Sequence, residues 1–344
     1  MSKETLDWLN SQTLIGFTEK RGTAWHYRAE HQGSETNHYP LAIPVGDILR
    51  RLFHWEATSA PLYVVKETRP FEGVVHSDYV EVPGRQAIVR SDTRDVLGIF
   101  GSGYEPHQYR TWLLSHVGNL LDDTLGIGSA GLLRAGAQGW VSVEVPETIA
   151  TRAGVDFRPN LVACTSFDGS LATTYKRVVQ IVVCDNTLSA GLSEAGQVFR
   201  VKHTRNSSLR ITDARAALSI VHTMADEFSA EVERLTSWEV SARQFDGLLD
   251  MLVSVPTAPG RSRTLAEQKR DRIRSLYNSD PRSAPWAGTA FGVLQAYNTY
   301  DTHYSTVRNV KHRAERNMAR ALTGDQASAD AGVLEVLRLI TTTA

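Results

Sequence analysis

The sequence predicts an α+β fold: an antiparallel β-sheet core with a packed helix, followed by a helical C-terminal region. Three observations carry this reading. The stretch from Leu161 to Leu188 reads as two apolar runs around Asp168 and Gly169, a strong short-range hairpin signal. Around it, short strand-like runs flank one helical stretch, an order that suits antiparallel pairing with a helix on one face. After about Thr212 the apolar residues Ala217, Leu218, Val221, Ala225, Phe228, Val232 and Leu235 recur at helical spacing instead.

Within the hairpin, residues 171–183 are rich in Val, Ile, Thr and Tyr, which suit a pleated, half-buried surface. Alternation puts Thr173, Tyr175, Arg177 and Val179 on one face and Thr174, Lys176, Val178 and Gln180 on the other. Cys164 should then pair near Thr173. The remaining elements follow in order. Ser2–Leu9 and Val45–Phe53 read as helices, separated by a loop carrying Gly22 to Tyr27. Strands are expected at 61–66, 74–82, 86–91 and 96–100, with turns at Pro83-Gly84 and in the polar run 91–95. Pro106 should open a helix whose stripe is Tyr109, Trp112, Leu113, Val117, Leu120 and Leu121. Strands at 131–135 and 140–145 lead to the hairpin. Thr212-Asp213 reads as an N-cap, and further helices are expected at 241–253, 264–277, 287–300, 302–322 and 329–341. The chain thus divides into an N-terminal helical and loop segment (1–60), a sheet domain with the central hairpin (61–211) and a helical region (212–344).

Composition removes several function classes. A chain of 344 residues can bury a substantial core, and its apolar and charged fractions are ordinary. No apolar run approaches the roughly 18 residues of a membrane span, and the polar N-terminus lacks a signal-peptide core. Cys164 and Cys184 read as buried free thiols in a reducing cytoplasm. Net charge is −1, so the overall charge does not mark the protein as a polyanion binder. Charge is clustered nevertheless. Between Arg200 and Arg210 there are four Lys or Arg residues and one His without any acid. Two further basic runs, 261–274 and 308–320, contain acids and read as solvated helix faces.

Catalytic motifs are weak. Gly126, Gly128 and Gly131 match a dinucleotide-binding spacing, but a helix precedes and a strand follows, the reverse of what that motif needs, so the glycines read as a flexible turn. His26, His31 and His38 share a polar loop and read as surface residues. Glu144 reads as an outward-facing strand residue. No cofactor and no metal is expected. A minor alternative is a Mg²⁺-dependent hydrolase using Asp168, Asp185 and Asn186, against which Asp168 makes a turn and Asn186 caps a helix.

Several segments resemble one family. The run Ala24, Trp25, His26 is similar to its N-terminal stretch, although this chain has Ala24 where that family has Pro. Leu97 to Gly101, followed by Tyr104 and Pro106, resembles its strand-to-helix step, and Thr165 to Ser170 with Val182 to Leu188 resembles its core. The family is the phage/plasmid-like domain-of-unknown-function family 932, with uncharacterised biochemistry. The resemblance implies a mobile-element protein in the cytoplasm of a bacterial host. The strand and helix order is also similar in architecture to that of phage single-strand annealing proteins.

The expectation is therefore a non-enzymatic protein that binds single-stranded DNA, oligomerises, and serves phage or plasmid replication or recombination. Phosphate contacts are expected from Lys176, Arg177, Arg200, Lys202, Arg205 and Arg210, with Phe167, exposed beside the turn, or Tyr175 as a stacking platform; Tyr175 reads alternatively as a core residue and Arg177 as half of a structural ion pair. The alternative is an interaction protein that docks a host factor through the helical region.

Overall fold

The structure is a computed structural model and describes residues 12–21, 36–67, 77–118, 121, 125–144, 148–181, 187–188, 198–204, 226–307 and 313–342. Its strands are β1 (Thr13–Ile15), β2 (Ala57–Glu67), β3 (Ser77–Arg90), β4 (Val96–Gly101), β5 (Gly126–Leu133), β6 (Gln138–Glu144), β7 (Ile149–Ala150), β8 (Asp156–Ser166), β9 (Thr173–Ile181), β10 (Thr187–Leu188) and β11 (Val198–Val201). The helices are α1 (Val45–Arg51), α2 (Arg110–Ser115, wound as a π-helix), α3 (226–237), α4 (Ala242–Leu252), α5 (Arg261–Ser279), α6 (Ala290–Thr299), α7 (Arg313–Thr323) and α8 (Asp325–Thr342). The protein is α+β, with its helices concentrated in the C-terminal region.

The larger sheet runs β1-β5-β6-β8-β9-β10 and is antiparallel throughout; β7 pairs with β8, and β11 pairs with β9. Short connections between β5, β6, β8 and β9 give a meander, which explains why successive apolar runs pair locally. One face of this sheet packs Ile127, Val141, Leu161 and Ala163 against Ile48 and Leu52 of α1 and Leu113 and Val117 near α2. The opposite face packs Trp140, Val162 and Cys164 against Met318 and Leu322 of α7. The end of the sheet at Val155 and Phe157 runs into a helical core built from Phe228, Phe245, Leu276, Phe291 and Leu337. Helix α4 begins at a capping box in which Ser241 and Gln244 satisfy each other's backbone N–H groups.

The smaller sheet, β2-β3-β4, differs from expectation. Pro83 and Gly84 do not end a strand: β3 runs through them, and its register against β2 shifts between Pro61 and Tyr63. With φ of +70° at Gly84, the pair makes a bulge, where a proline without an N–H and a glycine in left-handed backbone are both tolerated.

Other boundaries move too. Pro106 lies ahead of the helix, because residues 105–108 stay irregular while His107 turns inward to 2 % exposure. The expected helix over 302–322 is split: a π-turn, Tyr300–Tyr304, ends α6 and Arg313 opens α7. Asp168-Gly169 is part of a six-residue connection, 167–172, rather than a two-residue turn. There the Asp168 carboxylate accepts from the N–H and hydroxyl of Ser170 and from Arg134, with Gly169 at φ +78°. Cys164 pairs with Thr174, one residue from the expected place. The glycine-rich run sits in strand β5, not in a turn. A Cβ on Gly131 would stand 2.0 Å from the Trp140 ring, so this glycine makes room for an indole rather than for a phosphate. Ser2–Leu9, the Gly22–Tyr27 loop with His26, His31, the Thr212-Asp213 cap, Cys184, Asp185 and Asn186 lie outside the described residues. His38 is described, and its Nδ1 bonds Asn37 Oδ1.

Candidate functional site

The β8–β9 hairpin carries half of the expected contacts, and the structure buries Phe167, Tyr175 and Lys176. Phe167 has no exposure; its ring stacks on Tyr109 at 4.4 Å between centroids and meets Trp55 edge-on. Tyr175 is equally buried, and its hydroxyl donates to the Trp112 carbonyl oxygen. Burial holds that phenol well above its ordinary titration range. Lys176 lies on the opposite face, 9 % exposed, where its ammonium donates to the carbonyl oxygens of Ala321 and, at 2.9 Å, Leu322. Those carbonyls close the last turn of α7, where backbone acceptors have no partner within the helix and the dipole favours a cation. Burial lowers the Lys176 pKa. Phe167, Tyr175 and Lys176 therefore offer nothing to a nucleic acid, contrary to expectation. The alternation was read correctly, but both faces of the strand are covered.

The remaining expected cations divide differently. The Arg177 backbone pairs with Leu161 in the middle of the sheet. Arg205 and Arg210 lie outside the described residues. Arg200, on β11 opposite Thr174, and Lys202, just beyond it, are both exposed. Glu144, expected to face outward, is buried. Cys164 is buried on the α7 face, and burial pushes its thiol up to about 11, which makes it unreactive.

Directly after Lys202 the chain enters an arrangement that sequence reasoning missed. His203 stacks on His107 at 4.2 Å between ring centroids, and His107 stacks on Trp112 at 3.7 Å. On its other side His203 stacks on Tyr104 at 5.1 Å, and Tyr104 on Phe100 at 3.8 Å. The result is a column, Phe100–Tyr104–His203–His107–Trp112, drawn from β4, the loop before α2, α2 itself and the segment after β11. Two strand hydroxyls hold the imidazoles. His107 Nδ1 bonds Thr173 Oγ1 at 2.7 Å, and His203 Nε2 bonds Thr165 Oγ1 at 2.9 Å and Thr173 Oγ1 at 3.2 Å; the two hydroxyls bond each other at 2.7 Å. His107 Nε2 and His203 Nδ1 are buried without a hydrogen-bond partner among the described residues.

Desolvation dominates the electrostatics of this column. Burial, then the neighbouring His203 and His116, lowers His107 to about 3, and burial lowers His203 to about 4. Both rings are neutral at physiological pH. Neutral rings of this kind suit stacking and polar clamping rather than acid catalysis, which needs a proton near the working pH. Nothing in the sequence joins His107 to His203, which are far apart and carry no metal-ligand spacing. Among the described residues no group of three or more His, Cys, Asp or Glu is gathered as a metal site.

The basic run 261–274 lies in α5, and three of its six cations pair with acids. Arg263 pairs with Glu267, Arg270 with Asp250, and Arg274 with Asp246 and Asp271. Lys269 and Arg272 line an open cleft of about 880 Å³ with Leu265, Asp271, Tyr300 and Tyr304. Their charges lie over rings, Lys269 5.5 Å from Tyr297 and Tyr300 and Arg272 4.9 Å from Tyr304, so each has a cation–π partner already. In the third basic run, Arg316 and Arg320 both pair with Asp301. No helix among the described residues is long and apolar enough to cross a membrane.

No curated protein and no solved structure shows a significant match to this chain. A family model does match, described as "Domain of unknown function (DUF932)", over residues 96–323, about two thirds of the chain. That segment contains the whole aromatic column, the β8–β9 hairpin and helices α3 to α7, while β2 and β3 precede it. The chain belongs to the domain-of-unknown-function family 932.

Proposed function

We propose that this chain is a non-enzymatic protein that binds single-stranded DNA, encoded by a phage or plasmid and acting in the bacterial cytoplasm during replication or recombination. One observation carries the reading. The exposed cations Arg200 and Lys202 stand at the sheet edge immediately before His203, which is stacked into the Phe100–Tyr104–His203–His107–Trp112 column. Single-strand binders combine cations that follow the phosphates with aromatic faces on which bases stack, each stacked base worth roughly 1–3 kcal/mol. Phe100, half-buried at the end of the column, offers an aromatic face in place of the buried Phe167 and Tyr175, while Tyr104 is stacked between Phe100 and His203 and braces it. The phage or plasmid setting rests on the sequence resemblance above.

The test is a titration of fluorescent single- and double-stranded oligonucleotides at several salt concentrations. Single strands should bind more tightly, and affinity should fall steeply with salt. Replacing Arg200 and Lys202 together by Glu should weaken binding and flatten the salt dependence by about one unit of log–log slope per lost phosphate contact. Unchanged affinity and slope in that double variant would remove this edge as the site; no binding by the native protein at low salt would end the reading altogether.

A further inference from the structure

The outer part of the β2–β3 pair projects beyond the reach of β4, which pairs only with residues 85–89 of β3. From Tyr63 to Glu67 and from Ser77 to Glu81 the two strands pair only with each other among the described strands. A two-stranded ribbon is at best marginally stable in water by itself. This one is also apolar on both faces: Tyr63 is 49 % exposed, Val64 54 %, Val65 60 %, Tyr79 68 % and Val80 47 %. Contiguous exposed apolar residues of this kind mark an interaction surface.

The pairing limits what can cover it. Val64 lies opposite Val80, and one step further out on the same face Lys66 lies opposite Asp78. No ion pair joins Lys66 to Asp78 within the ribbon among the described contacts. This face is self-complementary. Rotation about a two-fold axis parallel to the strands sets Val64 over Val80 of a second copy, Val80 over Val64, and Lys66 over Asp78 in both directions. A nucleic acid does not suit the ribbon, since Lys66 is outnumbered by Glu67, Asp78 and Glu81.

We infer that the β2–β3 ribbon is a homodimer contact, in which two copies pack the Val64–Lys66–Asp78–Val80 face against itself about a two-fold axis. The inference is independent of the DNA reading, since the ribbon lies outside the family-matched residues and carries none of the proposed DNA contacts.

The experiment is sedimentation equilibrium of the full chain and of two variants, Lys66→Asp and Asp78→Lys. The native chain should dimerise. Each variant places like charges across the two-fold and should be monomeric at concentrations where the native chain is dimeric, with its dimer dissociation constant raised at least about tenfold. An equimolar mixture of the two should dimerise again, because the acidic face of one then meets the basic face of the other. That recovery separates the intermolecular contact from damage to the ribbon, since the cross-strand pair inside each variant remains like-charged in the mixture. A monomeric native chain, self-association of either variant at native strength, or a mixture that stays monomeric would each overturn the inference. A monomeric native chain would direct attention to a different protein as the occupant.

Discussion

The stacked imidazoles make stability depend on pH. In the unfolded chain each histidine titrates near 6.5; in the folded chain His107 is held at about 3 and His203 at about 4. Both folded values are depressed, so below pH 6.5 the unfolded state takes up protons that the folded state refuses. Stability is complete above pH 6.5 and is lost as pH falls towards 4 and then 3. At pH 5 each site lies about 1.5 units below its unfolded pKa and still above its folded one, so each costs about 2 kcal/mol, or about 4 kcal/mol for the pair. His116, also lowered by burial, adds in the same direction. That loss is a large fraction of the 5–15 kcal/mol of an ordinary domain. Asp92, Asp168 and Asp280 are lowered from 3.8, so their contributions are lost only below that pH, outside the range from pH 7 to 5. The assay is urea unfolding at pH 7, 6 and 5 on the native chain and on His203→Phe, which preserves a flat ring between Tyr104 and His107 but cannot titrate. The native midpoint should drop steeply, and the variant should show roughly half that dependence. A native midpoint that does not move between pH 7 and 5 would show that the imidazoles protonate freely in the folded state, and the description of a buried neutral column would be wrong.

Two further substitutions test the interior. Lys176→Met leaves the Ala321 and Leu322 carbonyls without their ammonium partner and should cost about 2–4 kcal/mol in thermal unfolding while leaving oligonucleotide affinity unchanged; a normal melting temperature with weakened DNA binding would reverse the assignment. Gly131→Ala drives a methyl group into the Trp140 ring and should destabilise by about 1–3 kcal/mol or more, with altered tryptophan fluorescence. A silent alanine there would mean that the β5–β6 packing is looser than described.

The sequence by itself determined what depends on neighbours along the chain. The two-residue period of β9 separated Tyr175 from Lys176, since alternation is a property of the extended backbone. The antiparallel meander followed from short connections between apolar runs, and helical spacing alone placed a helix over 241–253. What lies over a strand, however, is decided by residues far away in sequence. Lys176 reads as a surface cation until α7 arrives, about 145 residues later, and presents its last carbonyls to it. Phe167 reads as a turn residue until Tyr109 and Trp55 close over it. His107 and His203 become one unit only because β11 folds back onto β9 and carries the second ring to the first. Local periodicity encodes which way a side chain points. Only tertiary packing decides whether water or protein waits there, and for Lys176 and Phe167 that burial overrode the polar or exposed reading.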